Sequence, residues 1–181
     1  MARTIPIDPI LEKGYNVRLL VEDFDGLIEK WSNRSEKFRE TVDSSLDCQY
    51  GTGEKDKLDI FRCGKPNAPL FIFVHGGYWQ RGDKSVYSFV AESFVNSGID
   101  VALIGYQLCP SASMTNIVDK IREAVIWIWD NADDYAISKN RINVSGHSAG
   151  GHITGMILAT DWKEISEELP SDIVKTGIPI S

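Results

Sequence analysis

The pentapeptide Gly146-His147-Ser148-Ala149-Gly150 follows a short apolar run, Ile142-Asn143-Val144-Ser145, and opens into Gly151-His152-Ile153-Thr154-Gly155-Met156-Ile157-Leu158. A strand that turns sharply into a helix at Gly-x-Ser-x-Gly holds the serine hydroxyl out at the carboxyl end of a sheet, where a carbonyl substrate can reach it. The spacing nominates Ser148 as a nucleophile. Gly146 and Gly150 are the positions where strand and helix pass so close that a side chain would collide. Ala149 contributes its backbone N–H, which at a helix start points towards negative charge forming beside Ser148. The competing reading is a glycine-rich helix start with a surface serine, and the flanking strand and helix argue against it.

A serine hydroxyl attacks weakly unless a base takes its proton, and the tetrahedral adduct needs donors aimed at the new oxyanion. A second motif supplies donors. His75-Gly76-Gly77-Tyr78-Trp79 follows the apolar run Leu70-Phe71-Ile72-Phe73-Val74. Without side chains, Gly76 and Gly77 let their N–H groups approach a ligand, and with the N–H of Ala149 they make an oxyanion hole. Taken alone, Gly76-Gly77 reads first as an ordinary turn, and it is the serine turn that favours the donor reading.

These residues need a scaffold, and the apolar pattern predicts one. Leu70 to Val74 is a continuous apolar run of the kind found in parallel strands buried on both faces, and Ile99-Asp100-Val101-Ala102-Leu103-Ile104-Gly105-Tyr106 reads as the next buried strand. Val86, Phe89, Val90 and Phe94 recur at helical spacing, and Asn96-Ser97-Gly98 supplies a stop. A second helix is predicted over residues 114 to 132, with Ile117, Ile121, Ala124, Val125 and Ile128 on one stripe. Strands are predicted over 141–145 and 174–180, a helix from the Ser148 turn to about 160, and a charged loop or short helix over 162–169. Alternating strands and helices from residue 69 onward imply a mostly parallel sheet with helices on both faces, a three-layer α/β/α domain. In such sheets the working residues gather at the carboxyl ends of the strands, where His75 to Trp79, Tyr106 to Pro110 and Ser148 all fall.

Before residue 50 the pattern is weaker. Pro6 and Pro9 limit regular structure over residues 1–22, and Phe24, Leu27, Ile28 and Trp31 recur at helical spacing between 23 and 42. That helical segment is either a lid or a layer packed on the sheet. Residues 1–49 are thus expected to form a helical or irregular extension of a single domain spanning 1–181. Lys57-Leu58-Asp59-Ile60-Phe61-Arg62-Cys63 alternates as a strand with one buried face.

Composition narrows the function classes. A 181-residue chain with 43% hydrophobic residues can bury a substantial core, and its net charge of −7 carries no basic footprint for nucleic acid. The amino terminus lacks a secretory h-region, and nowhere do eighteen apolar residues run together, so a cytoplasmic protein without a membrane span is expected. Cys48, Cys63 and Cys109 are odd in number and lack C-x-x-C spacing, which argues against a disulfide framework or a zinc site. Neither a P-loop nor a strand-linked G-x-G-x-x-G is present, so a nucleotide-binding domain is not expected.

His75-Gly76-Gly77-Tyr78-Trp79, Tyr106-Gln107-Leu108-Cys109-Pro110 and Gly146-His147-Ser148-Ala149-Gly150-Gly151-His152 together resemble the α/β-hydrolase fold, and within it the kynurenine formamidase and related carboxylesterase group. The similarity runs from about residue 50 to the end. The resemblance implies Ser148 as nucleophile, Gly76, Gly77 and Ala149 as the oxyanion hole, and Tyr78 and Trp79 at the substrate pocket, with Trp79 equally suited to the core. It implies a small-molecule ester or aryl-formamide substrate cleaved through an acyl-enzyme, no metal or organic cofactor, and no nucleic-acid or membrane partner; a homo-oligomer is left open.

One departure stands out. The catalytic order in this fold is Ser, then Asp or Glu, then His. After Ser148 come the acids Asp161, Glu164, Glu167, Glu168 and Asp172, and the only later histidine is His152, which precedes them all. Four residues along the helix, His152 is expected to lie one turn deeper than Ser148, away from the substrate side. His75 and His147 read as structural or loop-bonded. An apolar final strand would leave an open sheet edge. The expectation is therefore the amino-terminal portion of a hydrolase, incomplete at its carboxyl side, and the alternative is a non-catalytic fragment acting as a binding or interaction module.

Overall fold

Alternation along two central strands sets the layers. In β3 (Leu70–Val74), Leu70, Ile72 and Val74 face one core while Phe71 and Phe73 face another; in β4 (Asp100–Ile104), Ala102 and Ile104 join the first and Val101 and Leu103 the second. Both faces of the sheet are apolar, so both must be covered. The structure, a computed structural model, describes residues 6–181; what was read at residues 1–5 lies outside them.

The first face is covered by α4 (Met114–Asp130), through Ile117, Ile121, Ala124, Val125 and Ile128, and by α5 (Ala149–Leu158), through Ile153 and Ile157. The second is covered by α3 (Phe89–Asn96), with Ala91, Val90 and Phe94, and by Phe38 of α2 (Phe24–Thr41). The start of α4 is fixed by a reciprocal cap: the Ser113 hydroxyl accepts from the Asn116 N–H at 3.2 Å, and the Asn116 side chain accepts from the Ser113 N–H at 3.3 Å.

Six strands form one sheet in the order β1-β2-β4-β3-β5-β6, with β1 (Ser44–Gln49), β2 (Lys57–Phe61), β5 (Ile142–His147) and β6 (Val174–Ile180) completing the set. β4, β3, β5 and β6 run parallel, and β1 and β2 are antiparallel additions at one side. Val74 pairs with Ile104 on one side and with Gly146 on the other. The segments after β3, β4 and β5 consequently emerge side by side at one end of the sheet, with the β3 segment between the other two. This is the mostly parallel α/β arrangement expected from the sequence.

The regions before residue 50 differ from their reading. Pro9 does not prevent a helix but begins one, α1 (Pro9–Tyr15): at the first helical position its missing N–H costs nothing, and Asp8 Oδ1 accepts from the N–H groups of Ile10 and Leu11. A 3-10 turn follows at Val17–Leu20. β1 lies inside the stretch read as an extension. It shows little alternation and is defined by pairing with β2 around a bulge at Asp47, whose φ is 55°. The helix read from Val86 is split into a 3-10 turn at Lys84–Tyr87 and α3. α2 packs rather than forming a lid: Ser35 Oγ donates to the Val86 carbonyl and accepts from the Phe89 N–H, and Trp31 meets the rings of Tyr87 and Phe89.

Candidate active site

The turn from β5 into α5 is tight because three backbones share one space. A Cβ at Gly150 would collide with the Val74 carbonyl and stand 2.9 Å from that of His75; one at Gly146 would collide with Gly150 and stand 2.8 Å from the Val74 oxygen. The chain reverses at Ser148, with φ 57° and ψ −117°, a conformation that non-glycine residues rarely adopt. Its N–H donates to the Ile180 carbonyl at 2.7 Å, which ties the turn to the end of β6. Ser148 is exposed, and its side chain does not cap α5.

The segment after β3 comes directly alongside. A Cβ on Gly76 would lie 2.7 Å from the His147 carbonyl and 3.2 Å from Ser148 Cβ, so only glycine allows this approach. Gly77 has φ 123°, and its carbonyl accepts from the N–H groups of Gln80 and Arg81, closing the turn. Among the described residues, the N–H groups of Gly76, Gly77 and Ala149 have no hydrogen-bond acceptor, whereas their surroundings are otherwise well paired. Unpaired donors beside an exposed hydroxyl can receive a ligand oxygen.

Tyr78 and Trp79 take φ values of 59° and 57°, and their rings meet at 5.7 Å. Tyr78 is largely exposed, at 69%. Trp79 packs against the main core and is half-buried; its Nε1 is buried without a partner. Trp79 thus packs on the core side of the loop, and its ring also stands edge-on to His152, 5.4 Å away. His152 is exposed and donates its backbone N–H to the Ser148 carbonyl, while its ring goes to Trp79 rather than to the Ser148 hydroxyl.

The other histidines separate. His147 is exposed at the end of β5. His75 is buried between two tyrosines, Tyr106 at 4.5 Å and Tyr87 at 5.7 Å, with all three rings nearly parallel. Its Nδ1 lies 2.7 Å from the Gly76 carbonyl, which can only accept, so Nδ1 carries the proton. Burial lowers the pKa of His75, against a smaller opposing effect from that hydrogen bond, and keeps the ring neutral. The Tyr106 hydroxyl donates to the His75 carbonyl at 2.9 Å, and burial pushes its pKa up, so it remains a donor.

Beneath this loop lies a polar cavity of about 190 Å³, bordered by His75, Tyr106, Asp83 and Lys84 but not by Ser148. Lys84 is buried and donates to Asp59 Oδ1 at 2.6 Å and to Asp47 Oδ1 at 2.7 Å. Its hydrogen bond holds the Asp47 carboxyl below its ordinary pKa. Asp83 is also lowered: burial raises it, but the N–H and hydroxyl of Ser85 and the charges of Lys55 and Lys84 outweigh that. Sequence reading missed Lys84 and Asp59, since a lysine and an aspartate 25 residues apart carry no joint signal.

Known proteins resemble this chain over most of its length. A zebrafish (Danio rerio) kynurenine formamidase is 31% identical over 148 residues, 80% of this chain and 49% of its own length. The kynurenine formamidase of Salmo salar is 34% identical, covering 73% of this chain and 44% of its own length. The chain therefore spans about half the length of these curated relatives. Among solved structures, a candidate thioesterase from Silicibacter sp. tm1040 superposes with a TM-score of 0.78 at 32% identity, covering 93% of this chain and 62% of its own. An esterase from the archaeon Pyrobaculum calidifontis shares the fold, with a TM-score of 0.66 at 21% identity over 97% of this chain and 57% of its own. The BD-FAE family model matches residues 58–175, a span that includes β2 to β5, the glycine loop and the serine turn. The chain belongs to the BD-FAE family and has the α/β-hydrolase fold.

Proposed function

We propose that this protein is a serine hydrolase that cleaves a carboxylic ester or an aryl-formamide through an acyl-enzyme on Ser148. One observation carries the reading: an exposed serine on a strained turn meets the glycine loop at Gly76, and among the described residues the N–H groups of Gly76, Gly77 and Ala149 have no acceptor. The substrate class is supported by relatives named kynurenine formamidase and, more distantly, an esterase of Mycobacterium tuberculosis.

In this mechanism a general base removes the Ser148 proton as Oγ attacks the substrate carbonyl carbon. The carbonyl π electrons move to oxygen, and the three N–H groups stabilise the resulting oxyanion. Collapse expels the alcohol or amine, which takes up a proton, and leaves an acyl-serine. Water then adds to the acyl carbon and releases the acid and Ser148. Tyr78 and Trp79 border the acyl or leaving group. The three cysteines are free, which supports a reducing, cytoplasmic setting. Among the described residues no helix is long and apolar enough to cross a membrane.

The test is covalent. A fluorophosphonate probe on the full-length protein labels Ser148, and Ser148→Ala abolishes the label; equal labelling of both would refute the assignment.

A second reading, a non-catalytic binding module of the same fold, is favoured by the absence, among the described residues, of any histidine or carboxylate hydrogen-bonded to the Ser148 hydroxyl. Turnover of p-nitrophenyl acetate well above a Ser148→Ala control counts against it.

A further inference from the structure

Two adjacent glycines are poor holders of anything, because each samples more backbone conformations than any other residue. The Gly76 and Gly77 N–H groups can act as fixed donors only if their peptide planes are held from elsewhere. The structure holds both by their carbonyl sides. The peptide between His75 and Gly76 has its carbonyl oxygen engaged by the Tyr106 hydroxyl at 2.9 Å, and the next peptide has the Gly76 oxygen engaged by His75 Nδ1–H at 2.7 Å. Both peptides are trans. In a trans peptide C=O and N–H point in opposite directions. Fixing the His75 oxygen on the Tyr106 side turns the Gly76 N–H the other way, and fixing the Gly76 oxygen does the same for the Gly77 N–H.

We propose that Tyr106 is a positioning residue for the oxyanion donors: its hydroxyl sets the plane of the His75–Gly76 peptide, and its ring steadies the imidazole that sets the plane of the next. The inference rests on the reading of Ser148 as a nucleophile. Tyr106 touches no reacting atom. It stands at the carboxyl end of β4, is 1% exposed, and stacks on His75 at 4.5 Å with an interplanar angle of 13°. Tyr87 closes the other side of the imidazole at 5.7 Å. The two pinned planes form a relay from a core strand to the serine, built from one hydroxyl and one neutral imidazole.

Tyr50 provides an internal control. It too is a buried tyrosine whose hydroxyl donates to a backbone carbonyl, that of Gly105 at 2.7 Å in the peptide leading into Tyr106, so it holds no peptide of the glycine loop and reaches that loop only through Tyr106. Full-length protein is compared as wild type, Tyr106→Phe, Tyr50→Phe and His75→Phe, the last keeping the ring stack while removing the Nδ1–H. The measurements are kcat and KM for p-nitrophenyl acetate, the rate of Ser148 phosphonylation by a fluorophosphonate, and the melting temperature. Tyr106→Phe and His75→Phe are expected to lower kcat and the phosphonylation rate about tenfold, less than outright loss of a donor, with KM held within about twofold. Tyr50→Phe, acting only through Tyr106, is expected to lower the melting temperature by a similar amount and to slow both rates by no more than about twofold. Wild-type rates in Tyr106→Phe, or equal slowing in Tyr50→Phe, overturn the inference. If Tyr106→Phe does not fold, His75→Phe alone decides: an unchanged kcat removes the pinned-peptide account. Wild-type protein that takes no label at Ser148 brings down the proposed function itself, and this inference with it.

Discussion

Lys84 and Asp59 meet at 2.6 Å in the interior, with side chains 7% and 0% exposed, and join the turn after the glycine loop to the middle of β2. Asp47, on the bulge of β1, takes a second proton of the same ammonium. Removing Lys84 leaves the fully buried Asp59 carboxylate without its counter-charge, whereas removing Asp59 leaves Lys84 still paired with Asp47. Lys84→Met is therefore expected to destabilise the protein by about 3 kcal/mol, and replacing both partners with apolar residues, Asp59→Leu with Lys84→Met, to recover much of that loss. Urea unfolding midpoints of the wild type, the single and the double variant check the ordering.

The buried imidazole of His75 gives stability a pH dependence. Its folded pKa lies below the ordinary value of about 6.5, so the unfolded chain binds the proton more readily. The stability it contributes is fully present above that ordinary value and is lost as pH falls from there towards the folded pKa. Between pH 7.5 and 5.5 the urea midpoint of the wild type is expected to fall more than that of His75→Phe, which has no proton to gain. Parallel curves for the two proteins would contradict this.

Backbone contact at Gly150 leaves no room for a methyl group. A Cβ there collides with the Val74 carbonyl, which is fixed in the central ladder between β4 and β5. Gly150→Ala is expected to cost about 2 kcal/mol or more and to slow labelling of Ser148, because relief requires the serine turn to move. Gly155→Ala, on the same helix with nothing within 4 Å of the added carbon, is the companion measurement and should be neutral or slightly stabilising.

Strain at Ser148 separates stability from function. With φ at 57°, a side chain at this position is held in a sparsely populated conformation. Ser148→Gly is expected to be more stable than Ser148→Ala by about 1 kcal/mol, while neither takes a fluorophosphonate label. Thermal melts of the two variants, side by side, read the difference.

Much of this was written locally in the chain. The run Leu70 to Val74 reads as a doubly buried strand because every residue in it is apolar, and residues 174–180 also read as a strand; both boundaries are those observed. The serine turn is legible because Gly146 and Gly150 are requirements of a close crossing that no other residue meets. Short-range signals of this kind, side-chain periodicity and glycine at fixed offsets, survive without knowledge of neighbours. Tertiary structure alone decided the rest. β1 escapes a sequence reading because an edge strand is made by its partner, here β2, and not by its own alternation. The order β4-β3-β5 brings Gly76 against Ser148 across 72 positions of sequence, and strand order is a property of packing two apolar faces, not of any segment. In the sequence Tyr106 is a strand end, Asp59 lies within an alternating strand, and Lys84 belongs to no motif. Their roles arise from burial, which only the folded chain defines, and which obliges each polar group to find a partner wherever the topology has placed one.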